Sequence, residues 1–217
     1  MDMKLASKID HTLLNPEATE KQIKKLCKEA KQYSFASVCV NPIRVKLAKK
    51  LLTDSSVKVC TVIGFPLGAN VSAVKAYEAK TAVKDGADEV DMVINIGALK
   101  DKDYSLVLDD IRSVVDAVNK DTVVKVILEN CLLENAEIEM ACKLCEEAGA
   151  DFVKTSTGFN KWGAKVEDVA LMKKCVGNRL KIKAAGGIHD YKTALSLVKA
   201  GADRIGASRS IDIVNGK

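Results

Sequence analysis

The sequence predicts one α/β domain, residues 1–217, folded as a single (β/α)8 TIM barrel. Three observations carry this expectation. Short β-branched apolar runs alternate with amphipathic stretches along the whole chain. The runs are apolar on successive residues, as parallel strands covered by helices on their outer face must be. A Gly-Ala-Asp unit also recurs at Gly86, Gly149 and Gly201, each time where a helix ends and a strand begins. An open doubly wound sheet is the competing arrangement. It calls for Gly-x-Gly-x-x-Gly after the first strand, where this chain reads Asp10-His-Thr-Leu-Leu-Asn15. Spread over eight units, 217 residues give about 27 each, tight but sufficient for a barrel.

Taken in order, a short first strand falls near Lys8–His11. A helix over Glu17–Tyr33 follows, with Asn15 as its N-cap and Pro16 at the first helical position. Ser37–Val40 is the second strand and Pro42–Leu52 the helix after it. Val57–Ile63, Glu89–Asn95 and Val123–Glu129 are the next three strands, followed by helices over Val71–Lys84, Tyr104–Asn119 and Glu134–Ala148. Phe152–Thr155, Leu180–Ala185 and Arg204–Ala207 complete the eight, with helices over Val166–Val176 and Tyr191–Ala200 between them. In the repeat, Gly closes each helix and Asp opens each strand. Five residues on from each Gly stand Asp91, Lys154 and Gly206. Inward layers of a barrel draw on alternate strands, so these positions should share one interior layer.

Composition narrows the function classes. Hydrophobic residues are 47% and aromatic residues only 4%, which disfavours platforms that stack bases. The net charge of +5 is spread without a basic tail or block, so no nucleic-acid partner is expected; an anionic substrate fits, and so does plain solubility. The first residues lack a signal-peptide core and no run of about 18 apolar residues occurs, so no membrane association and a cytoplasmic location are expected. Seven cysteines, an odd number, do not form a disulfide framework and suit a reducing compartment. Cys142-x-x-Cys145 shares a helical face with Ile138, which reads as buried helix thiols rather than a redox or zinc pair. His11 and His189 have no metal-binding spacing, and no metal or organic cofactor is expected.

Most of the lysines belong to solvated helix faces, but Lys125, Lys154, Lys181 and Lys183 stand inside apolar strands. Lys125 can be satisfied by pairing with Asp91 or Glu129. Lys154 and Lys183 face inward on adjacent strands. Two neighbouring ammonium groups repel, and repulsion with partial desolvation favours a free amine able to form a Schiff base with a carbonyl. Asp91 stands ready to move protons. The loops Ala184-Ala-Gly-Gly-Ile188 and Gly206-Ala-Ser-Arg-Ser210 follow the last two strands, where barrels bind phosphate.

These residues sit in motifs that resemble the deoxyribose-phosphate aldolase family: Ile9-Asp-His-Thr-Leu-Leu14, Val62-Ile-Gly-Phe-Pro-Leu-Gly68, Gly86 to Asn95, Phe152-Val-Lys-Thr-Ser-Thr-Gly-Phe159, Lys183-Ala-Ala-Gly-Gly-Ile188 and Gly206-Ala-Ser. The resemblance implies reversible cleavage of 2-deoxy-D-ribose 5-phosphate to D-glyceraldehyde 3-phosphate and acetaldehyde, without a cofactor. It matches Lys154 to the Schiff-base lysine, Lys183 to the lysine that tunes it, Asp91 to the proton relay and Lys125 to the supporting polar network. Lys181 becomes a spectator. Asp10 and Thr12 fall in the first-strand substrate region, and Thr157, Gly158, Gly186, Gly187, Gly206 and Ser208 in the substrate and phosphate loops. Phe159 departs from the pattern where many members carry a basic residue, and Arg209 where a small hydroxyl residue is common; Arg209 is expected to supply the charge Phe159 lacks. The chain stops at Lys217 without the Tyr-ended tail of some members, so the resemblance does not reach tail-assisted proton transfer. Another Schiff-base lyase for a different sugar phosphate and a catalytically silent phosphometabolite-binding barrel are the rival readings. A homodimer or higher homo-oligomer is compatible with the sequence.

Overall fold

The β-branched runs form eight strands in the computed structural model, which describes residues 2–217. They are β1 (Ile9–Leu13), β2 (Ser37–Val40), β3 (Lys58–Ile63), β4 (Glu89–Val93), β5 (Val123–Ile127), β6 (Phe152–Lys154), β7 (Lys181–Ala185) and β8 (Arg204–Ala207). All pair in parallel and in sequence order, and β8 returns to β1 with Asp10 opposite Gly206. Closure leaves no unpaired edge. Around the barrel lie α1 (Met3–Ala6), α2 (Glu20–Tyr33), α3 (Val45–Leu51), α4 (Ser72–Lys84), α5 (Ile96–Lys100), α6 (Tyr104–Ala117), α7 (Asn135–Glu147), α8 (Val166–Val176), α9 (Tyr191–Ala200) and α10 (Ser210–Val214).

The amphipathic pattern explains the packing. Helix α2 buries Ile23, Leu26, Cys27 and Ala30, one stripe at helical spacing, against the outside of the sheet. Each large aliphatic side chain buried this way stabilises the fold by about 2 kcal/mol. The start of α2 differs from the sequence expectation. Asn15 turns its side chain to Glu17 and closes a separate turn, with Ala18 N–H donating to its carbonyl at 3.1 Å. Thr19 is the cap instead: its hydroxyl accepts from Gln22 N–H while the Gln22 side chain accepts from Thr19 N–H, a reciprocal pair. The expected Pro42–Leu52 helix splits into a 3-10 turn, Pro42–Arg44, and α3. Short helices α1 and α5 were not expected, whereas α10 begins where a helix was expected after the Gly206–Ser210 loop.

The repeat has a mechanical role. Asp88, Asp151 and Asp203 each accept a hydrogen bond from a backbone N–H of the preceding strand, at Val59 (2.9 Å), Val124 (2.8 Å) and Ile182 (2.9 Å). Each aspartate thereby pins the register of one strand pair: β3 with β4, β5 with β6, and β7 with β8. Alternation then turns Asp91, Lys154 and Gly206 inward, and with them the residues two positions earlier, Glu89, Phe152 and Arg204. The interior is divided. Leu14, Cys39, Cys60 and Val62 fill the β1–β3 side, with Phe65 against them, and a cluster of charged residues with Phe152 occupies the other side. His11 faces outward and buried, with Nδ1 2.8 Å from Ser210 Oγ and Nε2 3.1 Å from Glu29, tying α10 and α2 to β1. Cys142 and Cys145 are buried on α7.

Candidate active site

A cavity of about 340 Å³ opens at the C-terminal end of the barrel, where the βα loops of this fold converge. Lys154 and Lys183 form its floor. Thr12, Thr157, Gly158, Gly186, Gly187, Gly206 and Ser208 line it, together with Phe159, Ile188 and His189. Most of the residues singled out in the sequence therefore meet here, from β1, β6, β7, β8 and their following loops.

Below the floor runs a closed ring of alternating charges. Asp10 pairs with Lys183 (2.5 Å), Lys183 with Asp91 (2.7 Å), Asp91 with Lys125 (2.7 Å) and Lys125 with Glu89 (2.6 Å). Glu89 pairs with Arg204 at 3.1 Å, and Arg204 closes the ring on Asp10. Lys154 hangs from it by a single carboxylate contact, Asp91 Oδ2 at 2.8 Å, the same oxygen that Lys183 uses. Every other cation of the group touches two carboxylates. The group thus carries one amine more than its carboxylates neutralise, and Lys154 is the least committed of them.

Burial alone would raise Asp91, but Lys125, Lys154 and Lys183 together outweigh it and hold the carboxyl well below the usual carboxylate range. Burial likewise opposes the charge of Asp10, and Lys183 and Arg204 overcome it in the same direction. For Lys183 burial favours the neutral amine, yet the Asp10 and Asp91 carboxylates prevail and raise it. Lys125 is raised too, by Asp91 and Glu89 among others against its burial. Lys183 and Lys125 are fixed cations.

Backbone shape completes the cavity. Gly206 carries no side chain where a Cβ would lie 3.0 Å from Lys183 Cε, so the lysine chain can pass. Gly163 has the same function between loops: a Cβ there would fall 2.0 Å from the Gly186 carbonyl oxygen, which accepts instead from Ala164 N–H at 3.0 Å. Glu129, in the left-handed region at φ 60°, is turned out of β5. Its carboxylate takes the Thr157 N–H (3.1 Å) and hydroxyl (2.5 Å) and holds the loop that carries Gly158.

Several sequence expectations change. Asp10 does not line the cavity; it lies one inward step below Thr12 on β1, fully buried among Lys183 and Arg204. Arg209 is exposed before α10 and, unlike its neighbour Ser208, does not line the cavity. Phe159 instead packs edge-on against Phe65, with ring centres 5.2 Å apart. Lys125 pairs with Asp91 and Glu89, and not with Glu129, because Glu129 has left the strand. Lys181 is exposed at the start of β7, over the Phe152 ring. Glu89, Arg204 and Gly163 were missed, and Glu129 was expected only as a partner for Lys125 and not as the anchor of Thr157. Glu89 and Arg204 occupy one position of the Gly-Ala-Asp repeat, two residues before Asp91 and Gly206, and inward parity points to them.

Comparison with known proteins agrees with this geometry. The model of the DeoC/LacD family aldolases matches residues 4–216. The deoxyribose-phosphate aldolase of Clostridium tetani (strain Massachusetts / E88) is 59% identical over 212 residues, covering 98% of this chain and 98% of its own. That of Lysinibacillus sphaericus (strain C3-41) is 59% identical over 216 residues, covering 100% of this chain and 97% of its own. The tetrameric deoxyribose phosphate aldolase of Aeropyrum pernix superposes with a TM-score of 0.92 at 35% identity, covering 99% of this chain and 91% of that one. The chain belongs to the DeoC/LacD aldolase family and is an aldolase.

Proposed function

We propose that the chain reversibly cleaves 2-deoxy-D-ribose 5-phosphate to D-glyceraldehyde 3-phosphate and acetaldehyde through a Schiff base on Lys154. The observation that carries this reading is the pendant amine: Lys154 faces the cavity with one carboxylate contact, while its neighbours are locked in the ring. Its Nζ attacks the C1 carbonyl of the open-chain sugar, and loss of water gives the protonated imine. When the C3 hydroxyl gives up its proton, the C2–C3 bond breaks and its electron pair moves into the imine. D-glyceraldehyde 3-phosphate leaves, the enamine takes a proton at C2, and water releases acetaldehyde and the free amine. Asp91 Oδ2, shared by Lys154 and Lys183, stands where a proton passes between Lys154 and a water on the substrate, while Lys183 keeps its charge. The low Asp91 carboxyl makes it a relay and an anionic partner rather than a store for the proton. The phosphate is read as held by the Gly158, Gly186–Gly187 and Ser208 loops, whose backbone N–H groups approach an anion closely.

Borohydride reduction in the presence of acetaldehyde tests the mechanism. The expected product is one N-ethyl group on Lys154; an adduct that persists in Lys154→Ala, or none in the native chain, refutes it. Phe159 at the cavity wall supports one second reading, a Schiff-base lyase for a different sugar phosphate, which turnover across a panel of sugar phosphates separates from the first. A reducing cytoplasm suits the seven free thiols, and none of the described helices is long and apolar enough to cross a membrane. A homo-oligomer is proposed and is checked by sedimentation.

A further inference from the structure

Cys39 and Cys60 stand far apart in sequence but directly opposite each other on β2 and β3, both pointing into the barrel. Neighbouring strands run about 4.8 Å apart, inside the Cα span of roughly 4.4–6.8 Å that a disulfide bridges. The two Sγ atoms and a carboxylate oxygen of Asp91 all lie within 4.8 Å of one another. Cys60 Sγ donates to Asp91 Oδ1 at 3.1 Å, and Lys125 Nζ lies 3.3 Å from the same sulfur. This thiol pair therefore touches the carboxylate on which Lys154 and Lys183 depend. Three ammonium groups around Asp91 oppose a metal cation at this place, which leaves oxidation as the chemistry a dithiol offers.

We propose that Cys39 and Cys60 are a peroxide-oxidisable dithiol whose disulfide lowers turnover by withdrawing a hydrogen-bond donor from Asp91. Thr12 and Leu14 line the cavity; Thr12 is the register partner of Cys39, and Leu14 packs in the same cluster as both thiols. Both thiols are fully buried beside these cavity-lining residues. The two thiols have different roles. Cys60 has its S–H committed to Asp91 Oδ1 and burial holds it well above the ordinary thiol range, whereas Cys39 is lowered, against its burial, chiefly by its contact with the Cys60 sulfur. Cys39 is the attacking sulfur.

The electron count closes with hydrogen peroxide as oxidant. Cys39 sulfur attacks one peroxide oxygen, the O–O bond breaks, and the departing hydroxide takes the Cys39 proton as the first water. Cys60 sulfur then attacks the resulting sulfenic acid; the S–S bond forms, the S–O bond breaks, and the hydroxide leaves with the Cys60 proton as the second water. Two thiols lose two electrons and peroxide gains them. Asp91 Oδ1 then keeps Lys125 but loses its sulfur donor. Loss of one hydrogen bond to a charged group corresponds to a fall in turnover of roughly tenfold. Burial pushes the Cys142 and Cys145 thiols well up, so they are not competing sites.

The test uses the intact protein and hydrogen peroxide in small excess. Remaining thiols are alkylated under denaturing conditions and the digest is read by mass spectrometry. The expected result is a peptide pair linked through Cys39 and Cys60, appearing in step with the activity loss, both reversed by dithiothreitol. Cys39→Ala keeps its starting activity through the same treatment. Alkylated Cys39 and Cys60 after peroxide, or a link between other cysteines, overturns the site; a link with full activity overturns its effect on Asp91. The mass result is independent of the aldolase reading, and only the activity arm rests on it. An inactive reduced protein counts against that reading while the link remains measurable.

Discussion

Replacing Asp10 by Asn tests the charge ring without changing shape. The substitution removes one anion from a fully buried site and deprives Lys183 and Arg204 of one partner each. Stripping a buried ion of its counter-charge costs about 3–5 kcal/mol. Here the lower end applies, since Lys183 keeps Asp91 and Arg204 keeps Glu89. For a chain of 217 residues, about 3 kcal/mol is a fall in Tm of roughly 6–12 °C. The pH dependence has a definite sign. The native Asp10 carboxyl is held below its ordinary value of 3.8, so its contribution is present above that pH and lost as pH falls below it. The Tm gap between the native chain and Asp10→Asn, read by calorimetry, is therefore constant above about pH 5 and narrows as pH drops toward 3. A gap under about 2 °C at neutral pH, or one that does not change with acid, refutes the ring as a stabilising unit.

Gly163→Ala forces a Cβ onto the Gly186 carbonyl and parts the two loops; KM for the phosphorylated substrate should rise roughly tenfold, about 1.4 kcal/mol, with a smaller change in kcat, read by steady-state kinetics. Phe159→Lys puts a cation at the cavity wall and should lower that KM by up to about fivefold at low salt, an advantage that added salt removes. Lys75→Met strips Asp110 of its buried partner at 2.6 Å and should cost about 3–5 kcal/mol in denaturant unfolding, while kcat of the folded fraction stays unchanged because α4 lies outside the barrel. In the native state Cys142 and Cys145 should resist a thiol-specific disulfide reagent, since burial pushes both thiols well up; rapid labelling at either would contradict their place in α7.

Strand positions were legible because burial on both faces writes itself as unbroken Val and Ile runs, and alternation then points Lys154, Lys183 and Asp91 inward. The α2 start was not, because Asn15 and Thr19 are both good caps and only the Gln22 side chain reaching back decides between them. Glu89 and Arg204 read as ordinary charges at strand starts until parity with Asp91 and Gly206 is followed down the repeat. Asp10 lies one layer deeper than its motif suggests, since a motif names residues without giving their depth. The meeting of Cys39 with Cys60, or of Gly163 with Gly186, depends on register and loop approach, which no local pattern encodes.

The three aspartate clamps divide the barrel into strand pairs, and each clamp acts inside its own pair. Every ionic contact of the ring, and the Lys154 contact with Asp91, runs between pairs: β1 to β7 and β8, β4 to β5, β6, β7 and β8. Local modules can thus set their own alignment, but chemistry begins only when the last one docks. Turnover is in this sense a proofreading signal for assembly: a chain folded through some of its quarters has the lysines and no enzyme.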